Sequence, residues 1–596
     1  MSALRALLAL RALLAVIGCA ALLTALVAWL DPSLPQPFGV ETLSLAVLCT
    51  LPFLLVFALL LALTRRVLLA CWLTALLIAA LYAVNAAKIQ FLETQLLPAD
   101  FRLLAEPGPA LQLFGQYLSF SARAAFAVVV GGLVTLLFWR RPRWPRLIGF
   151  QRWGLAVVSV ILGVSLIAGS PPWKRIFNSE RLGFHPWVLG DDGVRIGLIN
   201  SLLLYHWELG AGTIPKADRA VALQLLQDHA AQIRERLAAI DATGDPPDIV
   251  ILQSESLFDP ALLRGVENGR FLREFYKLAK QSLSGQMSVP TFGGGTVRTE
   301  FEVLTGTPLA SLGGVQYPWL ELHDAHLPTL ASALRRNGYQ TIAIHPNSAG
   351  FWNRGKVYPQ LGFDRFIDIK SFSPSAIVGL FTSDAALTDK ILDELPADGP
   401  PRFLFAISME NHGPFDWRPN LDPARLAALP MPKTLDEGGR YWLGNYLYLL
   451  DDADHELGRL VTALRERKRR TLLLFYGDHL PALPPVYAGL GFKDGRDPQE
   501  QQVPWLLYDT AHPKSATLDT HSWLLPSLVL RGAGVRDDTY FTVLDSLRES
   551  LALDGALSAD VAQSLESLIR LQLRGELAPV LKEGLGESTA ALTAAP

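Results

Sequence analysis

Cysteine is scarce in this chain of 596 residues and confined to one end, at Cys19, Cys49 and Cys71. Everything after residue 71 therefore has no internal disulfide and no cysteine-held metal, and must rest on an ordinary apolar core. Also missing is any lysine or arginine block outside short gaps between apolar runs, and the formal net charge is only -3. Nucleic acid is excluded as a partner on that ground, because gripping its backbone takes clustered positive charge. Even distribution is absent too. The apolar half of the residues crowds toward the first part of the chain, so the composition describes two different proteins joined together, in a length beyond one ordinary domain.

What is present first is a series of apolar runs: Leu13 to Leu30, Leu43 to Leu63, Val67 to Val84, Ala124 to Trp139 and Trp153 to Gly169. Each has roughly the 17 to 25 residues that a spanning helix needs, the last two only just. A cleaved signal peptide would account for the first run alone, so the sequence predicts a five-helix transmembrane bundle over residues 1–170. Arginines mark its sides. Arg5 and Arg11 precede the first run, Arg65 and Arg66 separate the second and third, and Arg140, Arg141, Arg143, Arg146 and Arg152 fill the gap before the fifth. The alternate loops are poorer in positive charge, which predicts a cytoplasmic N-terminus and a chain that lies outside the cytoplasm beyond Gly169. The loop from Lys88 to Arg123 reads either as an interfacial segment presenting a lipid headgroup or as a solvated connector.

From residue 171 to 246 the chain changes character. Pro171 and Pro172 break the last span, Trp187 and Tyr205 to Trp207 suggest interfacial aromatics, and Lys216 to Ala238 has the pattern of an amphipathic helix. This stretch is expected to be a juxtamembrane helical linker. Residues 247–535 then alternate strand-like and helix-like patterns. Asp248 to Ser254, Thr341 to His345, Phe403 to Met409, Thr471 to Tyr476 and Val503 to Tyr508 are candidate strands, and Pro328 to Arg336, Ser383 to Leu395 and Tyr441 to Arg467 candidate helices. That alternation predicts an α/β fold with a mostly parallel sheet flanked by helices. Residues 536–596 are expected to form a packed helix followed by an alanine-rich tail.

In parallel sheets ligands bind beyond the carboxyl ends of the strands, and here those ends carry chemistry. Glu255 follows the first strand; His345 ends the second, with Trp352 and Arg354 soon after; Glu410, Asn411 and His412 follow the third; Asp478 and His479 follow the fourth. Gly293, Gly294 and Gly295 lead into Thr296 and a helical pattern, a loop that brings amides close to an anion. The Thr296 hydroxyl is either a nucleophile or a helix cap. With Glu255, Asp478 and His479 it makes an oxygen-rich set with one imidazole, able to hold a divalent cation, Mn, Mg or Zn. A metal there would lower the hydroxyl's pKa and make it a usable nucleophile. The bland alternative is an Asp-His pair serving as a cap and a surface imidazole. Arg354 offers a fork for a phosphate, or a salt bridge beside a packed Trp352. His412 and His345 can serve a phosphate oxygen or a leaving alkoxide, or be satisfied loop histidines.

The segments ESL at Glu255, GGGTVRTEF around Thr296, FWNRGKVYPQLGFDRF from Phe351, MENHGPF at His412 and YGDH ending at His479 resemble the lipoteichoic acid synthase group of the alkaline phosphatase and sulfatase superfamily. That group includes the osmoregulated periplasmic glucan phosphoglycerol transferases of Gram-negative bacteria. The resemblance spans roughly residues 247 to 535 and implies an extracytoplasmic sulfatase-like domain on the bacterial cytoplasmic (inner) membrane. It implies Thr296 as nucleophile, a metal, usually manganese, on Glu255, Thr296, Asp478 and His479, and Trp352, Arg354, His412 and His345 around a phosphoglycerol headgroup. It further implies phosphatidylglycerol as donor and a glycan or glycerol-phosphate hydroxyl as acceptor. Val297 and Arg298 stand where the Gram-positive enzymes carry polar or acidic side chains, which speaks against polymerisation.

Three rivals stand beside that reading. A phosphoethanolamine transferase acting on lipid A or a glycan would share the threonine chemistry, but those relatives generally carry disulfides in the soluble domain. A hydrolase, either phosphatase or sulfatase, is the second; sulfatases of this superfamily need a cysteine or serine matured to formylglycine, and Thr296 cannot be that precursor. A non-catalytic lipid-binding membrane sensor would be expected to have lost part of the ligand set, and every position here is filled.

Overall fold

The computed structural model describes residues 2–34, 39–92, 95–98, 100–101, 122–144, 149–182, 184, 196–208, 214–239, 245–313, 315–322, 326–535, 539–551, 553 and 558–586. The chain divides into two compact units, Met1–Ala211 and Gly212–Pro596.

In the first unit the apolar runs are helices. Four of them, Leu10–Leu30, Val40–Thr64, Val67–Ile89 and Gly149–Ile167, are long and apolar enough to cross a membrane. The fourth run, Ala124 to Trp139, lies in the helix Ala122–Arg140, of which the shorter stretch Val129–Arg140 is apolar helix among the described residues. Val40–Thr64 packs against Ser2–Leu30, Val67–Leu92 and Gly149–Ile167, around buried Leu23, Val27, Phe53, Phe57 and Ile78. Leu22, Leu133, Ile161 and Val164 face outward, as side chains covered by lipid do. Two arginine-bearing gaps meet at one end of the bundle. Arg66 Nε donates to the Arg141 carbonyl (2.9 Å) and Arg152 Nε to the Ala62 carbonyl (2.9 Å), in the last turn of its helix. Of the segment from Lys88 to Arg123, residues 93–94, 99 and 102–121 lie outside the described residues. Its start is tied down by Lys88, buried and donating to Asp100 Oδ2 at 2.6 Å and the Gln95 carbonyl at 2.9 Å.

The second unit is built on one sheet. Its strands are β1 (Asp248–Ser254), β2 (Leu283–Ser288), β3 (Gln340–Ile344), β4 (Arg365–Ile367), β7 (Arg402–Ile407), β8 (Thr471–Gly477), β9 (Val503–Asp509), β10 (Ala516–Thr517) and β11 (Thr520–His521); β5 (Ile377–Val378) and β6 (Phe381–Thr382) form a separate hairpin. The order is β10-β2-β9-β8-β1-β7-β3-β4, with β11 also on β2. β8, β1, β7, β3 and β4 run parallel, while β9 is antiparallel to both β8 and β2. Every residue of β1 and β8 is buried, as expected of apolar strands covered on both faces. Because β1, β3, β7 and β8 point the same way, the segments after them emerge at one edge.

The expected linker 171–246 is not a unit of its own. Its amphipathic stretch is two helices, Arg219–Asp228 and Ala230–Ala238, meeting at His229, and both belong to the second unit. They pack on the helices of the C-terminal segment, Tyr540–Ser550, Ala559–Leu573 and Leu577–Leu585. Where one packed helix was expected there are three, because each apolar stripe in this pair of segments is covered by the other. The alanine-rich end, 587–596, lies outside the described residues.

Candidate metal and phosphoryl-transfer site

The first turn after the glycine loop sets the site. Gly293, Gly294 and Gly295 all have positive φ (69°, 155° and 78°), a run that only glycine adopts without strain. Gly295 is the N-cap of the helix Thr296–Thr305 and supplies no side-chain cap, so amides of its first turn are left to an outside acceptor. Thr296 does not cap that turn. Its Oγ1 donates to Glu255 Oε2 at 3.1 Å.

Glu255 is held by the turn after β1. Its N–H donates to Ser408 Oγ (2.9 Å), its Oε1 accepts from Ser256 Oγ (2.9 Å), and its carbonyl accepts from Asn411 Nδ2 (3.3 Å). Asp478 Oδ1 accepts from the Ser256 and His479 amides, both at 2.8 Å. The Asp478 carbonyl accepts from Thr299 Oγ1 at 2.7 Å, which locks this turn to the threonine-bearing helix.

The donor set fits a cation. His479 Nδ1 lies 2.9 Å from the Leu480 carbonyl, and a carbonyl only accepts, so Nδ1 carries the proton and Nε2 presents its lone pair. That Nε2 stands 3.4 Å from Glu255 Oε1 and 3.4 Å from Asp478 Oδ2. Asp478 Oδ2 and His479 Nε2 are buried and have no hydrogen-bond partner. One ligand atom from each of Glu255, Asp478 and His479 lies within 4.8 Å of the others. Burial, followed by the Glu255 charge, pushes the Asp478 carboxyl well above its ordinary range. Burial also works against ionisation of Glu255, but His412, His479 and the two hydroxyl donors bring its carboxyl net below the usual value. Two carboxylates and a lone pair converging in a dry place repel one another unless a positive ion stands between them.

That repulsion predicts opposite responses in one variant. Asp478→Asn keeps the Oδ1 acceptor and removes the buried charge. In chelator its melting temperature should equal or exceed that of the unsubstituted protein. On adding Mn2+ the unsubstituted protein should gain about 2.7 kcal/mol at a hundredfold excess over Kd, and the variant little. A variant that melts lower in chelator and gains as much from the metal would refute the repulsion.

The remaining expected residues lie on the same edge in different states. His412 is half-buried, its Nδ1 donating to the Gly413 carbonyl (2.8 Å). His345 is buried, its Nε2 has no partner, and burial followed by the Arg354 charge holds its pKa well below the ordinary value, so it is neutral. Trp352 takes a left-handed backbone (φ 54°) and stacks on Tyr317 at 4.9 Å. Arg354 is neither an open fork nor half of a surface pair. It is fully buried, and its Nε and Nη2 both donate to Glu300 Oε2 (3.0 and 2.6 Å), leaving Nη1 alone without a partner.

Two further residues, Glu300 and Arg418, were not legible from the sequence. Glu300, one turn after Thr296, holds Arg354 and also accepts from Tyr358 OH (2.8 Å) and Trp319 Nε1 (2.9 Å). Arg418, six residues after His412, is buried with no partner on any nitrogen. Glu410, expected among the groups at the strand ends, is not part of the cation set; its Oε2 accepts from the Asp384 amide at 2.6 Å. Burial and neighbouring Asp384 push the Glu410 carboxyl from near 4.5 up to about 10. Between those values the folded protein holds a proton that the unfolded chain has released, so raising the pH removes stability. Glu410→Gln cannot ionise. Its melting temperature relative to the unsubstituted protein should climb from about pH 5 to about pH 9; a difference that stays flat with pH would show the carboxyl to be ionised throughout.

Residues 247–530 match the family model described as Sulfatase. A Rhizobium meliloti protein named for cyclic β-1,2-glucan modification is 33% identical over 249 residues, covering 42% of this chain and 38% of that protein; the chain thus aligns with well under half of that relative's length. The capsular polysaccharide biosynthesis protein RkpI of the same organism is 29% identical over 420 residues, covering 67% of this chain and 71% of that protein. Among solved structures, the phosphoglycerol transferase GacH of Streptococcus pyogenes, in complex with sn-glycerol-1-phosphate, superposes with a TM-score of 0.51 at 22% identity, over 61% of this chain and 95% of that one. Residues 247–530, which carry the sheet and the site, are thus a domain of the alkaline phosphatase and sulfatase superfamily.

Proposed function

We propose that this chain is a membrane-anchored phosphoglycerol transferase that takes glycerol phosphate from phosphatidylglycerol and passes it, through Thr296, to a hydroxyl of a glycan or glycerol-phosphate acceptor outside the cytoplasm. The observation that carries this reading is the Thr296 hydroxyl at 3.1 Å from Glu255, at an uncapped helix start beside Asp478 and His479. The Rhizobium relatives named for glucan modification and capsular polysaccharide biosynthesis favour a glycan acceptor, and the fold shared with GacH favours a phosphoglycerol donor. Four apolar helices fit a bilayer substrate, and the basic gaps between them fit a catalytic unit on the outer side.

Glu255, Asp478, His479 and Thr296 would hold a divalent ion, Mn2+ on this oxygen-rich set, with Mg2+ or Zn2+ also compatible. When bound, such an ion neutralises charge on a phosphoryl oxygen and lowers the pKa of a coordinated hydroxyl. In the first step Thr296 Oγ1 bonds to the lipid phosphorus, and the bond from phosphorus to the diacylglycerol oxygen breaks. The hydroxyl proton passes to Glu255 Oε2, its hydrogen-bond partner, and the leaving oxygen takes the Nε2 proton of His412 in its imidazolium form, Nδ1–H staying on the Gly413 carbonyl. In the second step an acceptor hydroxyl attacks the same phosphorus, its proton goes to His412, and Thr296 recovers its own. Amides of the first helical turn and the open Nη1 of Arg354 face the anion. Neutral His345 accepts from a glycerol hydroxyl, and Trp352 walls the headgroup.

Mass spectrometry of the full-length protein incubated with phosphatidylglycerol vesicles and Mn2+ tests this directly. A glycerophosphate adduct on the peptide carrying Thr296 is expected. An ethanolamine-phosphate adduct, formed only with phosphatidylethanolamine, would replace the donor; no adduct and no released diacylglycerol would sink the proposal.

A further inference from the structure

Arg418 is the charged side chain in this neighbourhood that the chemistry above does not use. It is 6% exposed, yet Nε, Nη1 and Nη2 all lack a hydrogen-bond partner. Its guanidinium carbon lies 5.5 Å from the ring centre of Phe381 and 5.4 Å from that of Phe415. Those rings attract the positive charge but accept none of its N–H bonds in the way an oxygen does. A guanidinium cannot shed its charge to ease burial, and a buried charge with no hydrogen-bonding partner is costly. Burial draws its pKa down to about 10, against the opposing pull of Glu410, Glu255 and Asp416, so it remains a cation in neutral solution.

The surroundings tie Arg418 to the site. Phe381, in β6, also packs edge-on against His412 at 5.2 Å. Phe415 packs edge-on at 5.5 Å against Tyr446, whose hydroxyl donates to the carbonyl of Ser256, the residue after Glu255. One aromatic wall therefore leads from Arg418 to the proposed proton donor, and the other to the cation set. A planar fork of five donors, desolvated and unclaimed at such a position, matches an anionic oxygen pair of a phosphate ester.

Resting on the phosphoryl-transfer reading, we infer that Arg418 is an additional binding residue of this site, taking a phosphoryl oxygen of a substrate beside Phe381, the ring that also contacts His412. That phosphate is either the one in the donor headgroup or one already carried by the acceptor.

The test uses full-length, Mn2+-loaded protein with Arg418→Gln and Arg418→Lys. Binding of sn-glycerol 1-phosphate should weaken by about 10- to 100-fold in the Gln variant, recover in part in the Lys variant, and leave the melting temperature of either no lower than before. A rise in KM for diacylglycerol release from phosphatidylglycerol vesicles would assign the contact to the donor; unchanged release with slower transfer to a phosphate-bearing acceptor would assign it to the acceptor. Unchanged affinity together with unchanged release and transfer would overturn the inference. So would a melting temperature lost in the Gln variant and restored by Lys without any change in binding, since that is a structural arginine. If the unsubstituted protein binds glycerol phosphate but releases no diacylglycerol, the transferase reading fails while the binding comparison still decides the role of Arg418.

Discussion

Thr296→Ala should stop diacylglycerol release from phosphatidylglycerol and abolish the covalent adduct, a loss of about 1,000-fold or more in kcat. It should do so while leaving the fold in place. Thr296 is the first residue of its helix, and its hydroxyl caps nothing; the substitution removes its bond to Glu255 and its hydrogen-bonding pull on the Asp478 carboxyl. The cavity left by one hydroxyl and one methyl at the edge of the site is small, and the helix remains anchored by Thr299 on the Asp478 carbonyl. A change of less than about 1 kcal/mol in stability is therefore expected. Thr296→Ser keeps the oxygen but frees its rotamer, because serine lacks the methyl group that restricts χ1. It should retain adduct formation at a reduced rate. If Thr296→Ala still turns over at more than a few per cent of the original rate, another group attacks phosphorus and the covalent route is wrong.

Part of this arrangement can be read directly from the chain, for a physical reason. A parallel strand covered on both faces must be an unbroken apolar run, and the first polar residue after it marks the place where the backbone leaves the sheet. DIVILQS before Glu255 and TLLLFYG before Asp478 have that form, and the five expected strands match observed ones to within two residues at either end. β2 had no such signal. Its sequence LSGQMS is half-exposed along most of its length, and it owes its place to pairing with β9 rather than to its own apolarity. Ion pairing leaves even less trace. Nothing near Arg354 in sequence announces that Glu300, 54 residues earlier, occupies its fork, and nothing near Arg418 announces that no carboxylate reaches it. Sequence locates which groups come to the edge; the competition among their partners is decided by packing between distant segments.

Arg354→Ala should cost about 3–5 kcal/mol of stability, because what it leaves behind is worse than what it removes. Both partners of the pair are 0% exposed. With Arg354 present, Glu300 accepts four bonds, two from the guanidinium and one each from Tyr358 and Trp319. Without it, a carboxylate remains in the core with no cation and two donors. Arg354→Lys should rescue little, since an ammonium cannot reproduce the two bonds that Nε and Nη2 direct at one oxygen. Replacing both residues, as Arg354→Met with Glu300→Leu, should be milder than the sum of the single changes, because neither charge is then stranded. Activity separates this structural role from a direct one. If the open Nη1 touches the phosphate, the double variant should lose kcat/KM for phosphatidylglycerol even where its melting temperature recovers. If Arg354 merely fixes Glu300, and through it the helix that starts at Thr296, the double variant should regain activity in step with stability. An Arg354→Ala protein that melts with the original would show that the pair contributes no net stability.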